Sequence, residues 1–102
     1  MTRVVVTALA SADTATILRS IASGSGHNSA LKFELRFRKF YRRLSEHPES
    51  CDARPNLGRD IRVGVVFPYL VIHRSDRKHD TVSNVRVVHG HRRLTRRLLR
   101  GG

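Results

Sequence analysis

The stretch SALKFELRFRKFYRRLS, residues 29–45, decides the fold because its apolar side chains recur at steps of three and four. That spacing is typical of one face of an α-helix, so a helix is predicted from about Ser29 to Ser45. The predicted core face consists of Phe33, Phe37, Phe40, Tyr41 and Leu44. A second stripe at the same steps is basic and consists of Lys32, Arg36, Lys39 and Arg43. This basic stripe fits either a solvated face or contact with an acidic partner helix.

A second helix is predicted immediately before this one. Apolar residues at positions 17, 18, 21 and 22 have helical spacing, which indicates a helix from about Ala12 to Ser23. Ser11 is predicted to cap it, and Asp13 would lie in its first turn, where a negative charge is favoured. The sequence GSGHN, residues 24–28, interrupts the pattern. Two helices joined by such a short turn are expected to form an antiparallel hairpin.

Strands are predicted on both sides of the helices. The ranges are Arg3–Leu9, Ile61–Val66, Tyr69–Arg74 and Val82–His89. By simple alternation in the last strand, Val85 and Val87 would share one face and Asn84 and Arg86 the other. Leucines at 94, 98 and 99 indicate a short final helix.

The element order is therefore β-α-α-β-β-β, with a possible C-terminal helix. It predicts an α+β fold in one domain, residues 1–102, with a mostly antiparallel sheet of about four strands. The helical hairpin would cover one face of this sheet. The other face would stay open, with Arg62 and Arg86 projecting from it.

Charge is the strongest feature of the composition. The chain of 102 residues has 20 Lys and Arg against 8 Asp and Glu, a formal net charge of +12. Such a surface favours an anionic partner: an acidic protein, a nucleic acid or a membrane surface. Of the basic residues 17 are Arg, whose planar group can bind phosphate or carboxylate through two hydrogen bonds.

Other residue types limit the possible functions. A single cysteine, Cys51, excludes an internal disulfide and a cysteine-rich zinc site, and fits a reducing cytoplasm. No apolar run approaches the ~20 residues that would span a bilayer. We therefore expect a cytoplasmic protein that does not enter the membrane. No phosphate-cradling glycine loop or other cofactor motif is present.

Two histidines near the C-terminus, His89 and His91, raise the question of a metal site. They would share a strand face, but a third ligand with suitable spacing is missing, so no metal is expected. Metal-free RNA cleavage is a different alternative, because it needs only a base, an acid and cations that stabilise phosphate. The residues that could supply these groups are Arg62, Tyr69, His73, Arg86, His89 and Arg92.

Four segments together resemble the RelE/ParE toxin superfamily of type II toxin–antitoxin systems, and most closely its ParE branch. They are EHPES (46–50), ARPNLGRDIR (53–62), YLVIHR (69–74) and VRVVHGHRR (85–93). Each segment alone is a weak signal, but the four occur in the family's order and at ordinary spacing.

The resemblance implies a toxin that inhibits growth by blocking DNA gyrase and is neutralised by a cognate antitoxin. The antitoxin would contribute an acidic C-terminal segment, and the two proteins would form a hetero-oligomer. Nucleic acid could take part through the target complex. The residues expected to contact target or antitoxin are Arg62, Tyr69, Arg86, His89, Arg92, Arg93, Arg96 and Arg97.

Two alternatives remain within the same resemblance. One is a ribosome-dependent mRNA endonuclease of the RelE type, with His89, Arg62 and Arg86 as catalytic residues. No tyrosine follows Tyr69, however, whereas the nuclease branch commonly has one near its C-terminus. The other alternative is an inactive homologue that only binds antitoxin.

Two recurring positions of the signature also have structural explanations. Arg86 could form an ion pair with Asp60 and so connect a strand to a loop. Gly90 could supply a turn with positive φ, a conformation that glycine adopts readily.

Overall fold

A computed structural model describes residues 1–101. The five strands are β1 (Arg3–Val6), β2 (Asp52–Ala53), β3 (Ile61–Val66), β4 (Tyr69–Asp76) and β5 (Thr81–His89). The three α-helices are α1 (Ala8–Ser25), α2 (His27–Glu46) and α3 (Arg96–Leu99), and a 3-10 turn spans Pro55–Leu57. The predicted α+β class and the helical hairpin are confirmed.

The sheet is mixed and has the strand order β1-β5-β4-β3-β2. Three of its pairings are antiparallel, and β1 is parallel to β5. The sheet thus has one strand more than predicted. The sequence did not indicate β2 because a pair of residues is too short to show alternation.

The start of α1 differs from the prediction. Thr7, not Ser11, caps this helix, and its hydroxyl accepts a hydrogen bond from the Ala10 amide at 3.2 Å. Strand β1 consequently ends at Val6, because Ala8–Leu9–Ala10 already forms the first helical turn. At the other end, Gly26 alone separates α1 from α2, with a φ of 95° that glycine adopts without strain.

A β-bulge in β5 changes which residues share a face. Ile72 of β4 lies opposite Arg86 and His73 lies opposite Asn84, so Val85 is an extra residue in the strand. Asn84 donates to the Tyr41 hydroxyl on the helix side of the sheet, whereas Val85 packs with the cluster on the far side. The predicted pairing of Asn84 with Arg86 on one face is therefore wrong, because alternation fails at a bulge.

The core has two apolar clusters, one on each face of the sheet. The helix-side cluster contains Phe37 and Val71, with Phe40 and Tyr69 packed against it. Gly64 of β3 makes room for this packing, since a Cβ there would lie 2.4 Å from the Phe40 ring.

The far face of the sheet is covered and not open as predicted. Its cluster consists of Leu57, Ile61, Val63, Ile72, Val88, Leu98 and Leu99. Leu98 and Leu99 belong to α3, so the C-terminal helix packs beneath the strands. Burying these two side chains removes from water the apolar surface that the sheet would otherwise expose.

Candidate target-binding surface

A row of contacting rings crosses one end of the sheet. The Tyr69 ring at the start of β4 meets the His89 ring at the end of β5 edge to face, with centroids 5.7 Å apart. His89 then stacks on His91, with centroids 4.7 Å apart and an interplanar angle of 18°. Tyr69 and His89 are directly opposite in the strand register, which explains their contact.

The row continues onto α2. Phe33 meets Tyr69 edge to face at 5.7 Å, and the Arg36 guanidinium lies 4.8 Å from the centre of the Phe33 ring. Such a cation–ring contact is favourable and holds the arginine against the surface. Sequence reasoning assigned Phe33 to the core and Arg36 to a separate stripe. It missed that helix and sheet edge form one surface, because their proximity depends on how the hairpin packs.

The orientation of His89 is fixed by a hydrogen bond within the turn that follows β5. The His91 amide donates to Nδ1 of His89 at 3.2 Å. Nδ1 is therefore an acceptor, and the ring proton of neutral His89 lies on Nε2. A donor at Nε2 can reach a carboxylate or phosphate oxygen of a partner.

Exposed arginines continue the chain beyond the ring row. Arg92, Arg93, Arg96 and Arg97 are all exposed, and no acid follows Asp80 in the sequence. The tail is nevertheless ordered, because the Thr95 hydroxyl caps α3 through the Leu98 amide at 3.3 Å. We call Tyr69, His89, His91, Arg92, Arg93, Arg96 and Arg97 the terminal basic surface.

Arg86 is buried and does not belong to this surface. Its Nε and Nη2 donate to the two carboxylate oxygens of Asp13 in α1 at 2.7 and 2.9 Å. Nη1 donates to the Leu98 carbonyl at 2.8 Å. The hydrogen bonds that Arg86 donates to Asp13 raise the pKa of Arg86 further above its already high value. The predicted pairing with Asp60 is therefore wrong, and Arg86 joins β5, α1 and α3.

Arg62 also lies outside the terminal basic surface. It is opposite His73 in the register and therefore on the helix side of the sheet, while the bulge places Arg86 on the far side. Nη1 of Arg62 donates to the Cys51 carbonyl at 2.7 Å. His73 lies four residue steps along β4 from Tyr69, a distance of roughly 13 Å. The prediction that Arg62 and Arg86 project from one open face is wrong.

His73 is completely buried beneath α2. Its ring meets Phe40 edge to face at 6.1 Å, and Nδ1 lies 3.2 Å from the Val71 carbonyl. Burial lowers the pKa of His73 below its usual value, because a charged ring would lose its hydration there. Nε2 has no hydrogen-bond partner among the described residues. His73 thus contributes to the core and is out of reach of a substrate.

Gly90 has a steric role and lacks the positive φ that the turn prediction required. Its amide donates to the Pro68 carbonyl at 2.7 Å. A Cβ at this position would lie 2.9 Å from the same oxygen. Only glycine therefore lets the end of β5 approach the β3–β4 turn this closely.

The described residues do not group metal ligands. Within residues 1–101, no cluster of three or more His, Cys, Asp or Glu side chains could hold a metal ion. Burial raises the pKa of the Cys51 thiol, so the less nucleophilic protonated form is favoured there. In the described part of the chain, no helix is both long and apolar enough to cross a bilayer.

A helical hairpin on a mixed sheet with a basic C-terminal end defines a small α+β domain. Residues 4–94 match the model of the family described as ParE toxin of type II toxin-antitoxin system, parDE. Because this match spans most of the chain, the protein belongs to the ParE toxin family. The resemblance inferred from the four sequence segments is thereby confirmed.

A solved structure has the same fold. The chain is similar to one from the "Chromosomal ParDE TA system from P. aeruginosa", with a TM-score of 0.71 and 19% sequence identity. The similarity covers 87% of this chain and 96% of the other. No curated protein sequence matches the chain.

Proposed function

We propose that this ParE-family toxin inhibits DNA gyrase through its terminal basic surface and is neutralised by a cognate antitoxin. The family match over residues 4–94 carries this proposal. The exposed arginines of the tail support it, because they form a cationic end without a neighbouring acid in the sequence. A gyrase–DNA complex offers both acidic protein and phosphate groups to such a surface.

The ring row would fix how the partner is oriented in the proposed contact. Tyr69 and His89 support each other edge to face, and His91 stacks on the outer side of His89. Rings fixed in this way lose little conformational entropy when a partner binds. The arginines would steer the encounter and the rings would fix its register.

The antitoxin partner is proposed from charge and family. A net charge of +12 favours a segment rich in Asp and Glu. Neutralisation would follow if that segment covers the terminal basic surface, since antitoxin and gyrase would then compete for the same arginines. The solved relative carries a toxin–antitoxin name, which supports a partnership of this kind.

The geometry gives less support to the ribonuclease alternative. Catalysis by His89, Arg62 and Arg86 requires all three to reach one phosphate. Arg86 is engaged by Asp13, and Arg62 lies near the opposite end of β4 from His89. Nor does His73 reach solvent. These separations argue against a shared catalytic centre.

The test is inhibition of gyrase-catalysed supercoiling by purified toxin. We expect inhibition at micromolar or lower toxin, and loss of potency in the variant Arg92→Gln/Arg93→Gln/Arg96→Gln/Arg97→Gln. A shift of at least about tenfold in the half-inhibiting concentration corresponds to ~1.4 kcal/mol of lost binding. Unchanged circular dichroism would show that the variant still folds.

A matched control carries the same charge change elsewhere. Arg19, Lys39, Arg42 and Arg3 are exposed residues away from the tail, and their quadruple Gln variant should inhibit gyrase as the natural chain does. Absence of inhibition by the natural chain at micromolar concentration would rule out the proposed target. Equal loss in both variants would show that only net charge matters.

A further inference from the structure

A second basic site lies at the other end of the sheet from Tyr69 and His89. It is an open cavity with a volume of about 760 Å³, located where β3 begins and β4 ends. Tyr69 and Asp76 are the two ends of β4, so this site lies roughly 23 Å from the ring row along the strand. We call it the hairpin groove. Its cations are Arg59, Arg62, Arg74, Arg77 and Lys78.

The hairpin groove carries an excess of positive charge that is not satisfied within the chain. Three carboxylates line it, those of Glu49, Asp60 and Asp76, against five cations. Arg77 forms an ion pair with Glu49, so these two charges neutralise each other. Asp76 is already engaged by the His79 ring at 2.8 Å.

The remaining cations are available to a ligand. None of the ion pairs within residues 1–101 involves Arg59, Arg74 or Lys78, and all three are exposed. Arg62 is held in place by the Cys51 and Glu49 carbonyls at 2.7 and 3.3 Å.

The loop geometry keeps these cations around one concave surface. Asp60 adopts a positive φ of 60°, and its carbonyl accepts from the Ser75 amide at 3.0 Å. This hydrogen bond ties the segment that carries Arg59 to the end of β4. Arg74 lies directly opposite Ile61 in the register, at the mouth of the same hairpin. The cations are thus distributed along a groove and do not converge on one point.

We propose that the hairpin groove binds the phosphodiester backbone of duplex DNA. Distributed arginines suit a ligand with regularly repeated phosphates, which each guanidinium can contact through two hydrogen bonds. Within the described residues, no aromatic ring lines the groove, so it offers no platform for the unstacked bases of a single strand. Ile61 is 1% exposed, so its side chain gives an acidic peptide no apolar anchor in the groove.

Binding by phosphate contacts alone has a defined signature. It is independent of sequence and weakens steeply with salt, since each neutralised phosphate releases bound counterions. The three available cations predict a slope of log K against log [NaCl] of about −2.7 for duplex DNA. This binding is a property of the isolated toxin and does not depend on gyrase being its target.

The experiment measures fluorescence anisotropy of a labelled DNA duplex with purified toxin across a salt series. The variant Arg59→Gln/Arg74→Gln should bind more weakly and reduce the magnitude of the salt slope by about 1.8, the contribution of two phosphate contacts. Two control pairs carry the same charge change: Lys39→Gln/Arg42→Gln on α2, and Arg3→Gln/Arg19→Gln on β1 and α1. Both should leave the slope close to that of the natural chain.

Three outcomes would overturn the proposal. The first is an equal effect of all three pairs, which would mean that DNA responds only to net charge. The second is an unchanged slope in the groove variant. The third is displacement of DNA from the groove by an oligoglutamate peptide that binds the natural chain more tightly than the duplex does. Because Arg59 and Arg74 are exposed, the groove variant should fold, and its thermal unfolding checks this.

Discussion

Asp13 accepts hydrogen bonds from two neighbouring residues of β5 at once. One carboxylate oxygen accepts both the Arg86 Nε at 2.7 Å and the Val87 amide at 3.0 Å. The Val87 amide lies beyond the last pairing of β1 with β5, so it would otherwise have no strand partner. Asp13 therefore supplies a hydrogen-bond acceptor at the sheet edge where β1 stops, and it also holds Arg86 in place.

Removing either partner of this pair should strongly destabilise the fold. Asp13→Ala and Arg86→Ala should each lower the free energy of unfolding by about 3–5 kcal/mol, because each leaves a buried charge unpaired. In a double-mutant cycle by urea denaturation, the combined loss should be smaller than the sum. The exposed pair Glu34–Arg38 is the control, and its loss should cost only about 0.2–0.5 kcal/mol. Fully additive losses at Asp13 and Arg86 would contradict the coupling.

His73 should make the protein sensitive to mild acid. Its pKa is lowered in the folded state, chiefly by burial, so the unfolded chain binds a proton at a higher pH than the folded one. Its contribution to stability is complete above the unfolded pKa of about 6.5 and is lost as the pH falls from there toward the lowered folded pKa. The slope should be at most ~1.4 kcal/mol per pH unit.

The measurement is the free energy of unfolding between about pH 7 and about pH 5, around the unfolded pKa of histidine. His73→Phe should flatten this dependence, since it removes the titrating group but keeps a ring against Phe40. His91→Gln, at an exposed position, should leave the slope unchanged. An identical slope in His73→Phe would show that other groups cause the acid sensitivity.

The sequence could not assign residues such as Arg86 correctly, and the reason is local. The bulge adds Val85 to β5, and every face assignment before it is inverted relative to those after it. Nothing in VRVVHG distinguishes a regular strand from a bulged one. Partners distant in sequence, such as Asp13, are equally invisible to periodicity.

At the scale of elements, α2 provides most of the helix-side packing. Phe37 is 2% exposed and Leu44 is 1% exposed, as the aromatic face of the sequence predicted. Phe33 and Tyr41 are only partly buried and extend toward polar surroundings. The helical face was predictable because its period is set within one element, without knowledge of the sheet.

Phe37→Ala should cost about 3–5 kcal/mol of the free energy of unfolding, because it opens a cavity between α2 and the sheet. Leu35 lies on the outer face of the same helix and is 58% exposed. Leu35→Ala should therefore change stability by less than about 0.5 kcal/mol. Chemical denaturation of both variants provides the comparison. A cost below about 1 kcal/mol for Phe37→Ala would mean that this face does not form the core.

The short helix α3 should be equally necessary despite its four residues. Leu98 is 2% exposed against the far face, so Leu98→Ala should cost about 2–5 kcal/mol. Arg97→Ala, at the exposed neighbouring position, should fall within about 0.5 kcal/mol of the natural chain. Thermal unfolding distinguishes the two. If Leu98→Ala were as stable as Arg97→Ala, the tail would not be packed in solution.

The tail shows where sequence reasoning stopped at the element scale. Its leucines indicated a helix but not the surface on which that helix packs. The face that α3 covers was expected to stay open because the predicted helical hairpin covers only the opposite face. The 3-10 turn supplies Leu57 to the same cluster, so this turn and α3 cover the far face together.

At the scale of the whole molecule, the dominant property is charge. A surplus of twelve positive charges on a domain of this size produces self-repulsion that opposes the compact state. Composition alone predicted this property, since no folding step can remove the surplus. The division of the surplus into a terminal basic surface and a hairpin groove required the tertiary structure.

Screening this repulsion should stabilise the isolated toxin. Its unfolding temperature should rise between about 0.02 M and about 0.3 M NaCl, as the screening length falls below the size of the domain. Lys39→Glu/Arg42→Glu lowers the net charge from +12 to +8 and should reduce the rise. Scanning calorimetry measures both. A fall of the unfolding temperature with salt would mean that attractive surface pairs outweigh the repulsion.

The pairing of the first strand with the last has a consequence for synthesis. Thr2 donates to Asp80, 78 positions away, and β1 pairs with the residues that follow. The helical hairpin can form as soon as it is made, but β1 must wait for β5 before it has a neighbour. The sheet therefore closes only after β5 has been translated. A chain interrupted before residue 81 would keep its first strand unpaired and exposed to other chains.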